Sequence, residues 1–264
     1  MVEHEGIGND LMATDDQPED SGGRFSNMPF LEHLEELRKR LIRCFIALIV
    51  TASASFYFAK HIVKFIMTPL GDTKLYVTEV TGSFTAYFKV SLIAGVIVAL
   101  PYMFWQLWTF ISPGLYKKEK LLILPIVMSS TVLFLLGALF CYYVMLPLSL
   151  DFLIHFSGGL ITPIITVSSY ISFVGMLILG FGAGFQLPIV AYVLGKIGIV
   201  SARGLNKARR YAIVILLFLA AFLTPTPDMF TMMVMFVPLY ALYEISILIV
   251  WLTGKKKNAE VSAE

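Results

Sequence analysis

The chain changes from a charged segment to an apolar one within residues 30–43, FLEHLEELRKRLIR. Apolar side chains recur there at helical spacing and predict one apolar stripe: Phe30, Leu34, Leu37 and Leu41. Acidic and basic side chains four residues apart occupy the remaining surface, in the pairs Glu35–Lys39 and Glu36–Arg40. Such pairs stabilise a helix by roughly 0.2–0.5 kcal/mol each. Because charges nearly vanish after Leu41, we expect this helix to pass from a water boundary into lipid.

The composition is that of a helical integral membrane protein. Of the 264 residues, 58% are hydrophobic and only 14% are charged, with a mean hydropathy of +0.80. We expect one membrane domain over residues 26–254, an acidic disordered tail over 1–25 and a short tail over 255–264. Cys44 and Cys141 lie in apolar runs and are interpreted as reduced packing residues. No spacing indicates a metal site, and no cofactor or nucleic acid is expected.

The apolar runs predict an all-α fold with six transmembrane helices, at about 41–58, 84–111, 121–148, 167–194, 212–223 and 229–252. The fifth run is about 18 Å long as a helix, less than the roughly 30 Å of a hydrocarbon core. Three explanations for a span of this length stay open: neighbouring helices shield it, flanking residues snorkel, or the bilayer thins beside it. Prolines interrupt the runs and predict kinked helices that form a concave wall: Pro101, Pro125, Pro147, Pro188 and Pro238.

The distribution of Lys and Arg predicts the orientation. Most of these residues fall in the segment before the first run, between runs two and three, between runs four and five, and after run six. The opposite side has only Lys60, Lys64 and Lys74, with Lys89 at the start of the second run. Both termini of a multi-pass protein are therefore expected in the cytoplasm.

Polar residues within or beside the runs are functional candidates because charge is expensive in a membrane. Lys89 either snorkels outward or has a function. Glu244 is either protonated or paired with a residue of another span, and it shows no obvious partner nearby in sequence. Gln186 either caps a carbonyl freed by Pro188 or has a functional contact. Asp228, which follows two prolines, either caps the sixth span or has a function.

Two carboxylates stand among basic residues on the predicted cytoplasmic side. Glu36 precedes Arg38, and Glu119 lies within the run KKEK. Each is either a solvated charge that balances its neighbours or a binding group. A carboxylate accepts a guanidinium group through two parallel hydrogen bonds, so two such sites on one face can recognise two arginines.

Several motifs resemble those of the TatC family, the multispanning receptor subunits of the twin-arginine protein translocase. The resemblance covers about residues 26–254 and rests on HLEELRKRL at 33–41, MTPL at 67–70, QLWTFISPGLYKKEK at 106–120, FQLP at 185–188 and LTPTPD at 223–228. The block from Phe110 to Glu119 is the most specific of these, whereas Glu-Leu-Arg alone is not diagnostic.

This resemblance implies a receptor for folded cargo proteins that carry twin-arginine signal peptides. By the same likeness, Glu36 and Glu119 engage the two arginines, and Arg38 and Phe110 flank that site. The family also recruits single-span TatA and TatB subunits into a multimeric complex in the lipid bilayer, with export driven by the proton-motive force. Gln186 and Pro188 are expected to contact a partner helix, and Pro69, Asp228 and Glu244 remain further functional candidates.

Gln186 departs from the family pattern, since some members have a glutamate at this position. An amide forms hydrogen bonds but neither carries charge nor titrates. The substitution argues against a proton-linked role here and leaves a hydrogen-bonded docking role open.

Two other classes of protein are alternatives to a receptor. An intramembrane enzyme is disfavoured because the chain has no His-Glu-x-x-His, Gly-x-Ser-x-Gly or phosphate-loop motif. A small-solute transporter is compatible with interrupted spans and with Glu244. However, the sequence shows no clear internal repeat and few paired charges within its spans.

Overall fold

Helices make up the secondary structure in the computed structural model, which describes residues 24–71, 73, 75–111, 123–155, 164–223 and 229–261, with side chains from residue 32 to residue 253. The helices are α1 (Arg24–Tyr57), α2 (Ala59–Met67), α3 (Gly82–Ile111), α4 (Ile123–Phe140), α5 (Leu146–His155), α6 (Val167–Gly184), α7 (Leu187–Ile197), α8 (Ala202–Leu223) and α9 (Met229–Val261). An isolated β-bridge pairs Tyr76 with Thr166. The chain forms two units, Met1–Lys39 and Arg40–Glu264. The predicted all-α class is confirmed.

Among the described residues, five helical segments are long and apolar enough to cross a membrane: Glu32–Tyr57, Gly82–Ile111, Ile123–His155, Val167–Ile197 and Met229–Thr253. They coincide with the predicted first, second, third, fourth and sixth spans. The predicted fifth span is the apolar second half of α8, whose first half carries four basic residues. The six-span count and the cytoplasmic termini therefore stay predictions.

The third and fourth spans are interrupted helices. A π-helical turn, Cys141–Met145, joins α4 to α5 directly before Pro147. In the fourth span, α6 ends at Gly184 and α7 begins at Leu187. Pro188 has no N–H to donate to the carbonyl of Gly184, so the helix is interrupted where the sequence predicts a bend. Pro101 and Pro238, in contrast, lie inside the continuous helices α3 and α9.

The core of the second unit is centred on α6, which supplies the fully buried side chains Ile171, Leu177 and Phe181. Close packing of α3 on α1 depends on Gly95, because a Cβ atom there would lie 2.6 Å from the Ala52 Cα atom. The Thr51 hydroxyl also donates to the Gly95 carbonyl at 2.8 Å. Small residues and interhelical hydrogen bonds are the usual means by which helices associate in membranes.

Helix α2 was not predicted from the sequence. It follows the first span and buries Ala59, Val63 and Ile66 on one face. That spacing of three and four residues is typical of an amphipathic helix. However, Lys60, His61 and Lys64 lie on the other face, and a segment this rich in basic residues was interpreted as a loop.

Candidate functional sites

Glu36 and Arg38 lie one turn before the second unit, on α1. The Glu36 side chain is 39% exposed, and its Oε2 atom lies 3.9 Å from Nδ1 of His33. Arg38 is exposed. The neighbouring carboxylate of Glu35 bonds to Lys39 at 2.8 Å, as the four-residue spacing predicted. Glu36 is therefore accessible to a cationic ligand.

Phe110 and Glu119, the other two predicted site residues, belong to the end of α3 and the segment after it. Phe110 is the penultimate residue of α3 and is half-buried. Glu119 lies outside the described residues. Its pairing with Glu36 in one site stays a prediction.

The C-terminal end of α3 is fixed by a hydrogen bond that the sequence analysis missed. Arg40 Nη1 donates to both the carbonyl and the side-chain Oε1 atom of buried Gln106, each at 3.3 Å. Arg40 had been interpreted only as part of a basic segment and a helix-stabilising pair. Gln106, a polar side chain in an apolar run one turn before Phe110, was the available signal.

Gln186 belongs to a polar cluster that joins three helices. Its Nε2 atom donates to the Ser130 carbonyl of α4 at 3.0 Å. The Ser130 hydroxyl in turn accepts from Trp108 Nε1 of α3 at 3.0 Å. The side chain of Gln186 makes no capping bond at the start of α7, and its amide N–H group reaches a different helix instead. We call these three residues the Trp108–Ser130–Gln186 cluster.

An apolar groove of about 620 Å³ lies between α4, α7 and α9. Its walls include Ile126 and Leu133 of α4, Pro188 and Ile189 of α7, and Leu242 and Ile245 of α9. Phe185 and Pro188 line this groove, whereas Gln186 between them does not and bonds to α4 instead. Of the two predicted partner-contact residues, Pro188 is thus the one that lines the groove, where its own side chain is buried.

Glu244 is paired with a residue of another helix, as one of the two alternatives left by the sequence expects. Its Oε2 atom lies 2.6 Å from Arg209 Nη2 of α8. Its Oε1 atom accepts from the Tyr240 hydroxyl, one turn earlier in α9, at 2.8 Å. Tyr243 adds a second link by donating to the Leu205 carbonyl at 2.8 Å. We call these contacts, which join two helices, the α8–α9 clamp.

Pro69 has a structural explanation. It lies in the 3₁₀ turn Thr68–Leu70 that follows α2, where the Phe65 carbonyl accepts from the N–H of Thr68 and not from position 69. The Tyr142 hydroxyl donates to that carbonyl at 2.7 Å, and the Tyr170 hydroxyl donates to the next one, of Ile66, also at 2.7 Å. Two tyrosines from the core thereby hold the end of α2.

Two further candidates have different outcomes. Lys89 donates from Nζ to the hydroxyls of Ser168 and Ser172 on α6, at 2.9 and 2.8 Å. It therefore joins α3 to α6. Asp228 lies outside the described residues, and its capping role stays a prediction. Cys44 and Cys141 are both free thiols, as expected.

The helices and their cross-links define a multi-pass membrane protein in which polar side chains tie neighbouring helices together. Residues 32–238 match the model of the family described as Sec-independent protein translocase protein (TatC). The chain belongs to the TatC family. It is therefore a component of the twin-arginine translocase and not an enzyme.

Relatives in three bacteria carry the name Sec-independent protein translocase protein TatC. The Helicobacter pylori J99 protein is 42% identical over 82% of this chain and 86% of its own length. The Aquifex aeolicus protein is 41% identical over 88% and 98%, and the Escherichia coli K12 protein is 36% identical over 88% and 92%. A crystal structure of the twin-arginine translocase receptor TatC superposes with a TM-score of 0.77, at 40% identity, over 84% of this chain and 99% of that one.

Proposed function

We propose that this protein is the signal-peptide receptor of a Sec-independent translocase. In this proposal it binds the twin-arginine signal peptides of folded proteins at the cytoplasmic face of a bacterial inner membrane, with both termini cytoplasmic. The observation that carries the proposal is the close match, over nearly the whole of that chain, to a crystal structure described as a twin-arginine translocase receptor.

Glu36 and Glu119 are the proposed ligands of the two arginines, and Arg38 and Phe110 flank them. The accessible carboxylate of Glu36 supports this assignment. A guanidinium group forms two parallel bonds with a carboxylate, whereas a lysine ammonium is a compact point charge. The site should therefore discriminate Arg-Arg from Lys-Lys although the charge of the two peptides is the same.

The groove between α4, α7 and α9 is the proposed docking surface for a partner helix within the membrane. The groove is apolar, and Ile245 on its wall is 46% exposed. We propose that single-span TatA- and TatB-type subunits bind there during assembly of a multimeric complex, and that the proton-motive force drives export. Pro188 contacts the partner in this proposal, while Gln186 holds α7 in position.

Binding of the full-length purified protein to a twin-arginine signal peptide and to its Lys-Lys counterpart tests the receptor proposal. We expect the Arg-Arg peptide to bind more tightly, and Glu36→Ala and Glu119→Ala each to weaken it by about tenfold or more, because each removes a charge-assisted hydrogen-bonded pair. Glu35→Ala is the matched control, since it removes an adjacent carboxylate that is already bonded to Lys39. Equal binding of the two peptides, or equal effects of all three variants, would contradict the proposal.

Site-specific photocrosslinking tests the groove. A photoreactive residue at Ile245 should give adducts with the single-span partners when these are co-expressed. Val132, exposed on α4 but outside the groove, is the control. We expect Val132 to give mainly lipid adducts. Lipid adducts alone at Ile245, or identical partner adducts at both positions, would refute partner docking in the groove.

A further inference from the structure

A second groove, of about 460 Å³, lies between the basic half of α8 and the later turns of α9. One wall is formed by Arg203, Asn206 and Arg209, and the other includes Ile247, Leu248 and Trp251. One side is thus rich in hydrogen-bond donors and the other is apolar. We call it the α8–α9 groove.

The groove carries a net positive charge. Glu244 is the only acid among its lining residues, and both of its oxygens are already engaged by Arg209 and Tyr240. Residues 196–223 contain no aspartate or glutamate.

The position of the groove along α8 matches the headgroup layer of a bilayer. Beyond Arg210 the outward side chains are large, apolar and exposed, beginning with Tyr211, Val214 and Ile215. The Arg210 guanidinium lies 4.8 Å above the centre of the Tyr211 ring. The hydrocarbon boundary is therefore near Tyr211. From Arg209 back to Arg203 a helix rises about 9 Å, comparable with a headgroup layer of roughly 5–7 Å per leaflet.

The apolar wall has the character of a surface that contacts lipid at the interface. Leu248 is 54% exposed and Trp251 is 46% exposed. Tryptophan is enriched at the headgroup level of membrane proteins because its ring is large, apolar and carries one donor. An occupant must therefore present an anionic group to α8 and a hydrocarbon chain to α9.

We infer that the α8–α9 groove binds an anionic phospholipid. The phosphate contacts Arg203 and Asn206, and an acyl chain lies against Ile247 and Leu248. The phosphate lies at the Arg203 end because the Glu244 carboxylate repels an anion at the other end. Basic pockets between helices at a membrane boundary commonly bind anionic headgroups. This inference concerns lipid binding and is independent of the proposed signal-peptide site.

Native mass spectrometry of the full-length protein, titrated with phosphatidylglycerol or phosphatidylcholine of identical acyl chains, tests this inference. The wild-type protein should bind the first phosphatidylglycerol more tightly than phosphatidylcholine. Arg203→Gln should weaken phosphatidylglycerol binding by about fivefold. Arg210→Gln is the matched control, because it removes the same charge from the same helix outside the groove, and it should change binding by less than about twofold.

A second variant separates the groove from general surface charge. Asn206→Phe fills the groove without changing its charge and should abolish the preference for phosphatidylglycerol. Each variant is first checked for an unchanged elution volume and unfolding temperature. Wild-type binding by Asn206→Phe, equal weakening in Arg203→Gln and Arg210→Gln, or the absence of a lipid preference in the wild-type protein would each overturn the inference.

Discussion

Ser130 uses both its backbone carbonyl and its side chain to connect helices, and this gives Gln186 a structural role. The carbonyl accepts from Gln186 and the hydroxyl accepts from Trp108, while the Ser130 side chain is fully buried. An amide suits this position because its NH₂ group donates. An ionised carboxylate has no donor to offer a carbonyl.

Replacing Gln186 should test that role. Gln186→Glu should lower the unfolding temperature in detergent, since it loses the bond to Ser130 and places charge beside a carbonyl. Gln186→Met, which has a similar size and no charge, should cost only about 0.5–1.5 kcal/mol, the usual net value of one hydrogen bond. If Gln186→Glu is as stable as the wild-type protein, the donor role of Gln186 is wrong.

For single residues, the sequence indicates which side chains need partners but not which partners they have. Glu244 and Lys89 were correctly selected as polar residues in apolar surroundings. Their main partners, Arg209 and two serines of α6, lie 35 to 83 residues away. Such pairings depend on which helices are adjacent and on their relative register, neither of which follows from the periodicity of one helix.

At the scale of helices, α8 combines two environments in one element. Its second half is apolar, whereas its first half is basic and linked to α9 by the clamp of Glu244 with Arg209 and Tyr243 with Leu205. A short apolar segment gains little from the bilayer alone. The clamp therefore supplies specific contacts at the basic end of the helix.

A double-mutant cycle measures the clamp. Glu244→Ala and Arg209→Ala should each destabilise the protein, and their combination should cost less than the sum of the single changes. We expect a coupling energy of about 1 kcal/mol, because both side chains are partly exposed to water or headgroups. Unfolding titrations in SDS provide the measurement. Additive effects would show that the observed pair contributes no net stability.

The elements were more predictable than their contacts. Long apolar runs give the approximate positions of five spans because crossing lipid requires about 20 apolar residues. Helix α2 was not predicted because its amphipathic pattern is short and includes lysines, and such a segment resembles a surface loop. Its burial depends on Tyr142 and Tyr170, which belong to distant helices. Similarly, a proline predicts an interruption, but the structure determines that Pro188 interrupts a span whereas Pro101 does not.

At the scale of the whole molecule, the apolar runs predict six spans, and the distribution of lysine and arginine predicts that both termini are in the cytoplasm. Accessibility of single cysteines tests this, after Cys44 and Cys141 are replaced. A cysteine at Val80 should react with a membrane-impermeant maleimide in intact spheroplasts. A cysteine at Arg203 should react only after the membrane is permeabilised, and labelling of both before permeabilisation would contradict the topology.

The sparse burial of α1 bears on biosynthesis. Only 6% of its most apolar stretch is buried, against 50% for the span formed by α6 and α7. Of the described spans, α1 is the first to leave the ribosome, before α3 exists to contact Thr51 or Ala52. Because so little of α1 is buried against other helices, we expect it to insert into the bilayer before they are made, at little energetic cost. The span formed by α6 and α7, by contrast, is the most buried of the described spans, and it is synthesised after α3 and α4.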